Sequence, residues 1–122
     1  MSLSRIVMRL ARNPGTEFAD GDDHRGYSLV APLTPEGHID ETAFKATKGE
    51  CTVRRFAPDE DAQEGKLARR GSNWFFDYQE GADDDEAVHR LAEHRFAVGE
   101  YVSIADEDGR LLAYKVTDLQ PA

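Results

Sequence analysis

Carboxylates, a histidine and an arginine lie close together in one polar stretch of the chain, residues 17–26, which reads EFADGDDHRG. Its candidate binding residues are Asp20, Asp22, Asp23, His24 and Arg25. Carboxylate oxygens are the ligands that hard cations such as Ca²⁺ prefer, and an imidazole exchanges protons near neutral pH. We expect a loop here, longer than a hairpin turn requires, and long polar loops on small folds often hold binding residues. The stretch is therefore the strongest candidate for a functional surface, as a binding loop or as the centre of a small metal-dependent enzyme.

The common metal-binding motifs do not occur in this sequence. No acidic run fits the D-x-[DN]-x-[DN]-G pattern with a distant glutamate that defines an EF-hand. In HRLAEH, residues 89–94, the two histidines lie five positions apart, about 140° around a helix, whereas helical zinc motifs place their ligands on one face. We therefore expect no metal ion and no cofactor.

Cys51 is the only cysteine of the chain. A catalytic thiolate would need a neighbouring base, such as one of the four histidines, and a lowered thiol pKa. Alternation instead places Cys51 on the same strand face as Val53, and free cysteines are among the most buried residues. We expect a core cysteine and no catalytic residue. A single cysteine also excludes an intrachain disulfide and fits a reducing compartment.

The densest aromatic cluster lies in GSNWFFDY, residues 71–78. Its first three residues are typical of a hairpin turn, since glycine and asparagine tolerate the positive φ angles that such a turn requires. Alternation then places three rings on one face of the following strand. These rings are Trp74, Phe76 and Tyr78. In a protein of this size, such a face is typical of the core, because it buries a large apolar surface.

The same three rings would also suit a platform for stacking nucleic-acid bases, provided that arginines contact the phosphates. The candidate arginines are Arg54, Arg55, Arg69 and Arg70. However, Asp77 and Glu80 lie next to the rings and would repel phosphates. We favour the core interpretation and retain single-stranded nucleic-acid binding as the alternative.

The balance of charge opposes polyanionic partners. Acidic residues outnumber basic ones by 24 to 15, which gives a net charge of −9 and a field that repels nucleic acid and anionic membranes at long range. No apolar run is long enough for a transmembrane helix or a secretory signal. No glycine-rich phosphate loop and no G-x-S-x-G motif occurs. We expect a cytoplasmic protein that binds no membrane, and the charge disfavours nucleic acid as a partner.

Alternation with a period of two dominates the chain and predicts strands. The predicted strands are 5–10, 27–33, 50–56, 65–70, 74–78, 100–105 and 110–119. The first of them alternates an apolar face with a partly basic one. Pro32 indicates that the second strand lies at a sheet edge or ends there.

Two short helices interrupt this pattern. Asp40 is a suitable N-cap for a helix over 41–47, and a capping box followed by apolar residues at helical spacing predicts a second helix within 83–96. Acidic residues collect between the apolar runs, where we expect loops. These acidic segments are 17–23, 59–64, 80–86 and 106–108.

The strongest local pattern is FAVGEYVSIADEDGRLLAYKV, residues 96–116, in which two apolar runs flank the turn DEDG. The segment resembles a hairpin of small SH3-like and PUA-like β-barrels, in which a Val-Gly-Glu or Val-Gly-Asp step introduces a barrel strand. The resemblance implies a small β-barrel. PUA-like proteins often bind RNA, but their RNA-contacting residues have no counterpart in this sequence, so only the fold is implied.

Together these patterns predict a mainly β protein with one or two short helices, a small SH3-like or PUA-like, partly open β-barrel. An α+β roll is the alternative fold. We expect a single domain over residues 1–122. The favoured function is a non-enzymatic binding module for a protein partner or for a second copy of itself, through an edge strand at 27–33 or the Trp74 face. Nucleic-acid binding and a small metal-dependent enzyme remain the alternatives.

Overall fold

The computed structural model describes residues 3–58, 60–70, 73–78, 86–88, 94–105 and 110–122. Over these residues the chain forms eight strands, one α-helix and one turn of 3₁₀ helix. The strands are β1 (Leu3–Leu10), β2 (Asp22–Pro32), β3 (Thr52–Ala57), β4 (Glu60–Arg70), β5 (Asn73–Tyr78), β6 (Glu86–Val88), β7 (Tyr101–Ala105) and β8 (Leu111–Pro121). The α-helix is α1 (Glu41–Thr47), and the 3₁₀ turn follows it at Lys48–Glu50.

Each strand pairs in antiparallel fashion with its neighbour in the chain, and β8 pairs with β1, so the sheet curls into a barrel. Over the described residues β6 is the shortest strand, with three residues, and it pairs with β7 through Val88 and Ile104. The predicted small, mainly β barrel is confirmed. None of the described helices is long and apolar enough to cross a membrane.

The core fills the inside of the barrel with the apolar face of each strand. The largest of its fully buried side chains are Ile6, Met8, Tyr27, Leu29, Val53, Phe76, Phe96, Val102, Ile104 and Val116. The Tyr27 ring contacts both Phe76 and Tyr114, with ring centroids 5.1 Å apart in each pair. The alternating patterns of the first strands and of the last hairpin therefore predicted the buried face correctly.

Helix α1 packs against the end of the barrel at which β2 ends and β3 begins. The Asp40 side chain caps it, because its Oδ1 accepts a hydrogen bond of 3.0 Å from the backbone N–H of Ala43. Phe44 projects from the helix onto Trp74, with the ring centroids 4.9 Å apart. The predicted helix and its cap are confirmed.

Three local predictions are wrong over the described residues, each because strand pairing overrides local composition. The polar stretch after residue 15 is a loop only as far as Gly21, because β2 begins at Asp22 and pairs with Leu10. The acidic residues 60–64 form the first half of β4, where Glu64 pairs with Arg54. Pairing with a neighbouring strand gives the backbone N–H and C=O groups of these segments hydrogen-bond partners within the protein. In a solvent-exposed loop the same groups would bond to water.

The third error concerns the second helix, since residues 86–88 form a strand between β5 and β7. A few apolar side chains at helical spacing do not decide the structure here. The strand forms because β5, which pairs with β4 along one edge, needs hydrogen-bond partners along the other edge. Residues 83–85 and 89–93 of that segment and the DEDG turn lie outside the described residues, and residues 94–96 are neither helix nor strand. β2 is not an edge strand between Gly26 and Leu29, because β1 and β3 pair with it on both sides, although it does end at Pro32.

Candidate binding groove on the outer face of the sheet

The polar stretch 17–26 does not gather its carboxylates around a common point. Asp20, Asp23 and His24 are exposed. Asp22 accepts a hydrogen bond of 2.9 Å from the backbone N–H of His24, and its other oxygen lies 3.7 Å from Nε of Arg25. Among the described residues, no group of three or more His, Cys, Asp or Glu side chains is arranged to hold a metal ion.

The charges at the start of this stretch have structural partners instead. Arg110 donates two hydrogen bonds of 2.9 Å to the Glu17 carboxylate, and this contact lowers the pKa of Glu17 to about 2. The guanidinium groups of Arg25 and Arg110 lie 5.0 Å and 6.0 Å from the centre of the Phe18 ring. This arrangement fastens the loop to the start of β8.

Asn13 completes the attachment of the loop. Its Oδ1 accepts a hydrogen bond of 2.8 Å from the backbone N–H of Ala113, and its Nδ2 donates one of 2.8 Å to the carbonyl of Ala11. Asn13 and Glu17 thus have structural roles, because each bonds the loop to residues 110–113.

The aromatic cluster lies in the core. Trp74 and Phe76 are 4% and 0% exposed, so neither ring presents a face on which a base could stack. The side chain of Tyr78 lies outside what the structure describes. Cys51 is also fully buried, burial raises the pKa of its thiol, and Thr47 Oγ1 is its neighbour at 3.7 Å.

Of the arginines proposed to contact phosphates, the three with described side chains do not share a surface. Arg54 points outward, whereas alternation puts Arg55 on the opposite face of β3. Arg69 forms a 2.7 Å ion pair with Glu41 and lies 5.3 Å from the centre of the Trp74 ring. Arg69 therefore belongs to the junction between the barrel and α1, and the side chain of Arg70 is outside the described part of the chain.

A different surface does combine basic and apolar side chains, namely a groove across the outward faces of β1, β2, β3 and β4, which we call the outer groove. Its volume is about 580 Å³. Its basic residues are Arg5, Arg9 and Arg54, its apolar residues are Val7, Val30 and Phe56, and its other polar residues are Ser28, Thr52 and Glu64. The sequence alternation placed Arg5 and Arg54 on outward faces but did not show that these faces adjoin.

Strand register brings these residues together. Val7 on β1 lies opposite Ser28 on β2, which lies opposite Arg54 on β3. One two-residue step away, Arg9 lies opposite Gly26, and Gly26 lies opposite Phe56. Outward residues of one ladder row are neighbours, so side chains distant in the sequence form one surface.

Gly26 is required at its position by the close approach of β1. A Cβ atom there would lie 2.0 Å from the carbonyl oxygen of Met8, a distance that no side chain tolerates. The approach occurs next to the register shift between Arg9 and Leu10. Because Gly26 has no side chain, the outward row from Arg9 to Phe56 has an open position in the middle.

Two of the three guanidinium groups in the outer groove have no counter-ion among the residues that the structure describes. Arg9 donates a hydrogen bond of 2.8 Å to Asp118 Oδ2 and another to Thr117 Oγ1, and the bond from Arg9 is the main reason why the pKa of Asp118 is low. Arg5 and Arg54 are exposed and form no ion pair or hydrogen bond with the other described side chains. In a protein of net charge −9, two such arginines beside apolar side chains are suited to an anionic ligand.

A second basic pocket, of about 240 Å³, is lined by Phe44, Lys45, Lys48 and Arg69. Lysines near the carboxyl end of a helix are stabilised by its dipole, and Arg69 is already paired with Glu41. The structure therefore accounts for the charges of this pocket, which makes the outer groove the stronger candidate.

Comparison of the chain with protein-family models, with curated proteins and with solved structures found no match. The candidate site accordingly rests on its own geometry. That geometry combines an open groove, unpaired guanidinium groups and an apolar lining.

Proposed function

We propose that the protein is a non-enzymatic, cytosolic binding module that holds an anionic ligand in the outer groove. The observation behind this proposal is the pair of exposed guanidinium groups, Arg5 and Arg54, beside the apolar side chains of Val7 and Val30. We also include in this proposal that the barrel is SH3-like or PUA-like, as the resemblance of residues 96–116 implies, and that this small barrel is used for binding.

The residues of the groove favour binding over catalysis. Guanidinium groups stay protonated at any physiological pH, so Arg5, Arg9 and Arg54 cannot exchange protons with a substrate. The described lining contains neither histidine nor cysteine, and its only carboxylate is Glu64. Such a set of side chains holds a negatively charged group but offers no acid–base pair.

The ligand should be anionic because guanidinium groups form charge-assisted, often bidentate, hydrogen bonds with carboxylates and phosphates. The outward side of the groove is open to water, so these contacts should weaken as ionic strength rises. The hydroxyl groups of Ser28 and Thr52 supply further donors and acceptors beside the arginines.

A titration followed by ¹⁵N-resolved NMR tests the proposal, with poly-L-glutamate and inorganic tripolyphosphate as probes at low salt. At least one probe should shift the amide signals of β1, β2 and β3, and added salt should reverse the shifts. The double variant Arg5→Glu, Arg54→Glu should lose this response. Arg12→Glu is the control for a change of charge away from the groove, because Arg12 is exposed and does not line it. The single variants Arg5→Glu and Arg54→Glu, measured beside the double variant, match it in the change of charge.

Thermal unfolding of each variant shows whether it is folded at the temperature of the titration. If neither probe moves the signals of the groove strands, or if Arg12→Glu abolishes the response as fully as the groove variant does, the outer groove is not an anion-binding site.

A further inference from the structure

We infer that the ligand of the outer groove is an acidic protein segment in extended conformation, with two carboxylates three or four residues apart and an apolar side chain between them. This inference rests on the proposed function and specifies the partner's chemistry. Three features of the groove lead to it: the spacing of its unpaired arginines, the apolar side chains between them, and a carboxylate that disfavours nucleic acid.

The spacing follows from the register. Arg5 on β1 lies opposite Val30, whereas Arg54 on β3 lies opposite Ser28. The two arginines are thus two strands apart and one two-residue step apart along the strands. With about 4.8 Å between strands and about 3.4 Å per residue, their Cα atoms are about 12 Å apart. An extended peptide covers that distance in about three to four residues.

Apolar side chains occupy the space between the two arginines. Val30 and Val7 lie on adjacent strands within this part of the groove, and Phe56 follows Arg54 on the same face of β3. A ligand with only charged groups would leave these side chains in water. A leucine or phenylalanine between the two carboxylates would cover them and add an apolar contribution to the binding energy.

The ligand must be recognised through side chains, because the strands below it are already paired. β1 is hydrogen-bonded to β2 and β8, and β2 to β1 and, between Gly26 and Leu29, to β3. Strand addition is therefore excluded over this part of the groove. The hydroxyls of Ser28 and Thr52 remain to bond the peptide groups of the ligand.

Nucleic acid fits the groove less well. Glu64 lies opposite Arg54 in the ladder and lines the groove. It repels a nucleic-acid backbone, which carries a charge at every nucleotide, more than a peptide whose two carboxylates are separated by neutral residues. Phe56 is the only aromatic residue of the described lining, so successive bases would lack stacking partners there. Peptide N–H groups, in contrast, can donate hydrogen bonds to the Glu64 carboxylate.

The test compares short ligands by NMR titration of the whole chain at low salt. The first peptide contains Asp-Ser-Leu-Ser-Asp between glycine-serine ends. In one matched peptide asparagine replaces both aspartates, in another serine replaces the leucine, and an oligothymidylate supplies the nucleic-acid comparison. We expect the first peptide to shift the groove signals with a Kd at least tenfold lower than those of the other three. The double variant Arg5→Glu, Arg54→Glu should lose this advantage, whereas Arg12→Glu should keep it.

The outcomes separate the inference from the proposed function. Tighter binding of oligothymidylate than of the first peptide overturns the inference but leaves an anion-binding groove in place. Equal binding of the peptides with leucine and with serine also overturns it, because the apolar residues of the groove would then contribute nothing. Failure of every anionic probe, including poly-L-glutamate and tripolyphosphate, overturns both.

Discussion

Two pairs of an arginine and an aromatic residue lie on neighbouring strands of this barrel and have different surroundings. Arg69 lies 5.3 Å from the centre of the Trp74 ring and pairs with Glu41, and Trp74 is 4% exposed. Arg54 and Phe56 share the outward face of β3, and Arg54 has no described partner. On the inner face an arginine and an aromatic residue therefore pack where the barrel meets α1, whereas on the outer face the same residue types line an open groove.

The face of the strand, and not the residue type, decides which role such a pair has. On the inner face the pair is enclosed by α1, so its contacts contribute to folding. On the outer face the contacts remain unmade, so the pair is available to a ligand. The comparison predicts that stability and binding depend on different residues.

The largest difference should appear when the aromatic residue of each pair is removed. Trp74→Ala leaves a cavity between β5 and Phe44, and we expect it to lower the free energy of unfolding by about 3–5 kcal/mol. Phe56→Ala should cost only about 1 kcal/mol, because the groove is open and no enclosed cavity forms. Urea unfolding followed by circular dichroism measures both. Similar losses in the two variants would contradict the division between core and groove.

Glycines extend the comparison from side chains to the backbone. In Gly26→Ala the new methyl group would lie 2.0 Å from the Met8 carbonyl oxygen, so β1 must shift, and we expect a loss of about 1–3 kcal/mol. Gly49→Ala is the matched control beside α1, because a Cβ atom there meets nothing within 4 Å. The control should be neutral or slightly stabilising. Urea unfolding again gives the result, and an unchanged Gly26→Ala variant would show that β1 does not approach β2 as described.

Sequence patterns predicted most of the strands around these sites, since a strand with one buried face alternates visibly. β1, β3 and the hairpin of β7 and β8 follow that alternation, and Asp40 marks the start of α1. β6 was predicted as part of a helix because three residues are too few to show a period of two. Its strand conformation depends on pairing with Trp74 and Ile104, which lie far from it in the sequence.

The outer groove could not be predicted for a related reason. Alternation shows that Arg5 and Arg54 point away from the core, but only the register of β2 between β1 and β3 makes them neighbours. The stretch 17–26 was chosen instead because of its length and charge, and those properties are explained by contacts such as that of Glu17 with Arg110. A binding site formed by the register of several strands is therefore harder to recognise in the sequence than a polar loop, because its residues are not close together in the chain.

Exchange of the two arginines for alanine should separate stability from binding. Arg69→Ala removes the contact with Trp74 and the ion pair with Glu41, and we expect a loss of about 1–2 kcal/mol in the free energy of unfolding. Arg54→Ala should change it by less than about 0.5 kcal/mol, because Arg54 is exposed and unpaired. In the NMR titration with poly-L-glutamate the order should reverse, with only Arg54→Ala weakening the response. If Arg69→Ala weakens it equally, the two regions are not independent.

The smallest effect should come from a third arginine next to an aromatic ring, Arg110 beside Phe18, which is paired like Arg69 but exposed like Arg54. Its hydrogen bonds lower the pKa of Glu17 from 4.5 to about 2. Since the pKa is lower in the folded state, the stabilising contribution is present above about pH 4.5 and is lost as the pH falls towards 2. Glu17→Gln should therefore lower the Tm slightly at pH 6 and by much less at pH 2, where about half of the Glu17 carboxylates are protonated in the folded state, and salt should reduce the difference. The exposed Asp20→Asn, in the same loop, should follow the wild-type protein at both pH values. A difference between Glu17→Gln and the wild-type protein that is as large at pH 2 as at pH 6 would show that Glu17 acts through packing and not through its charge.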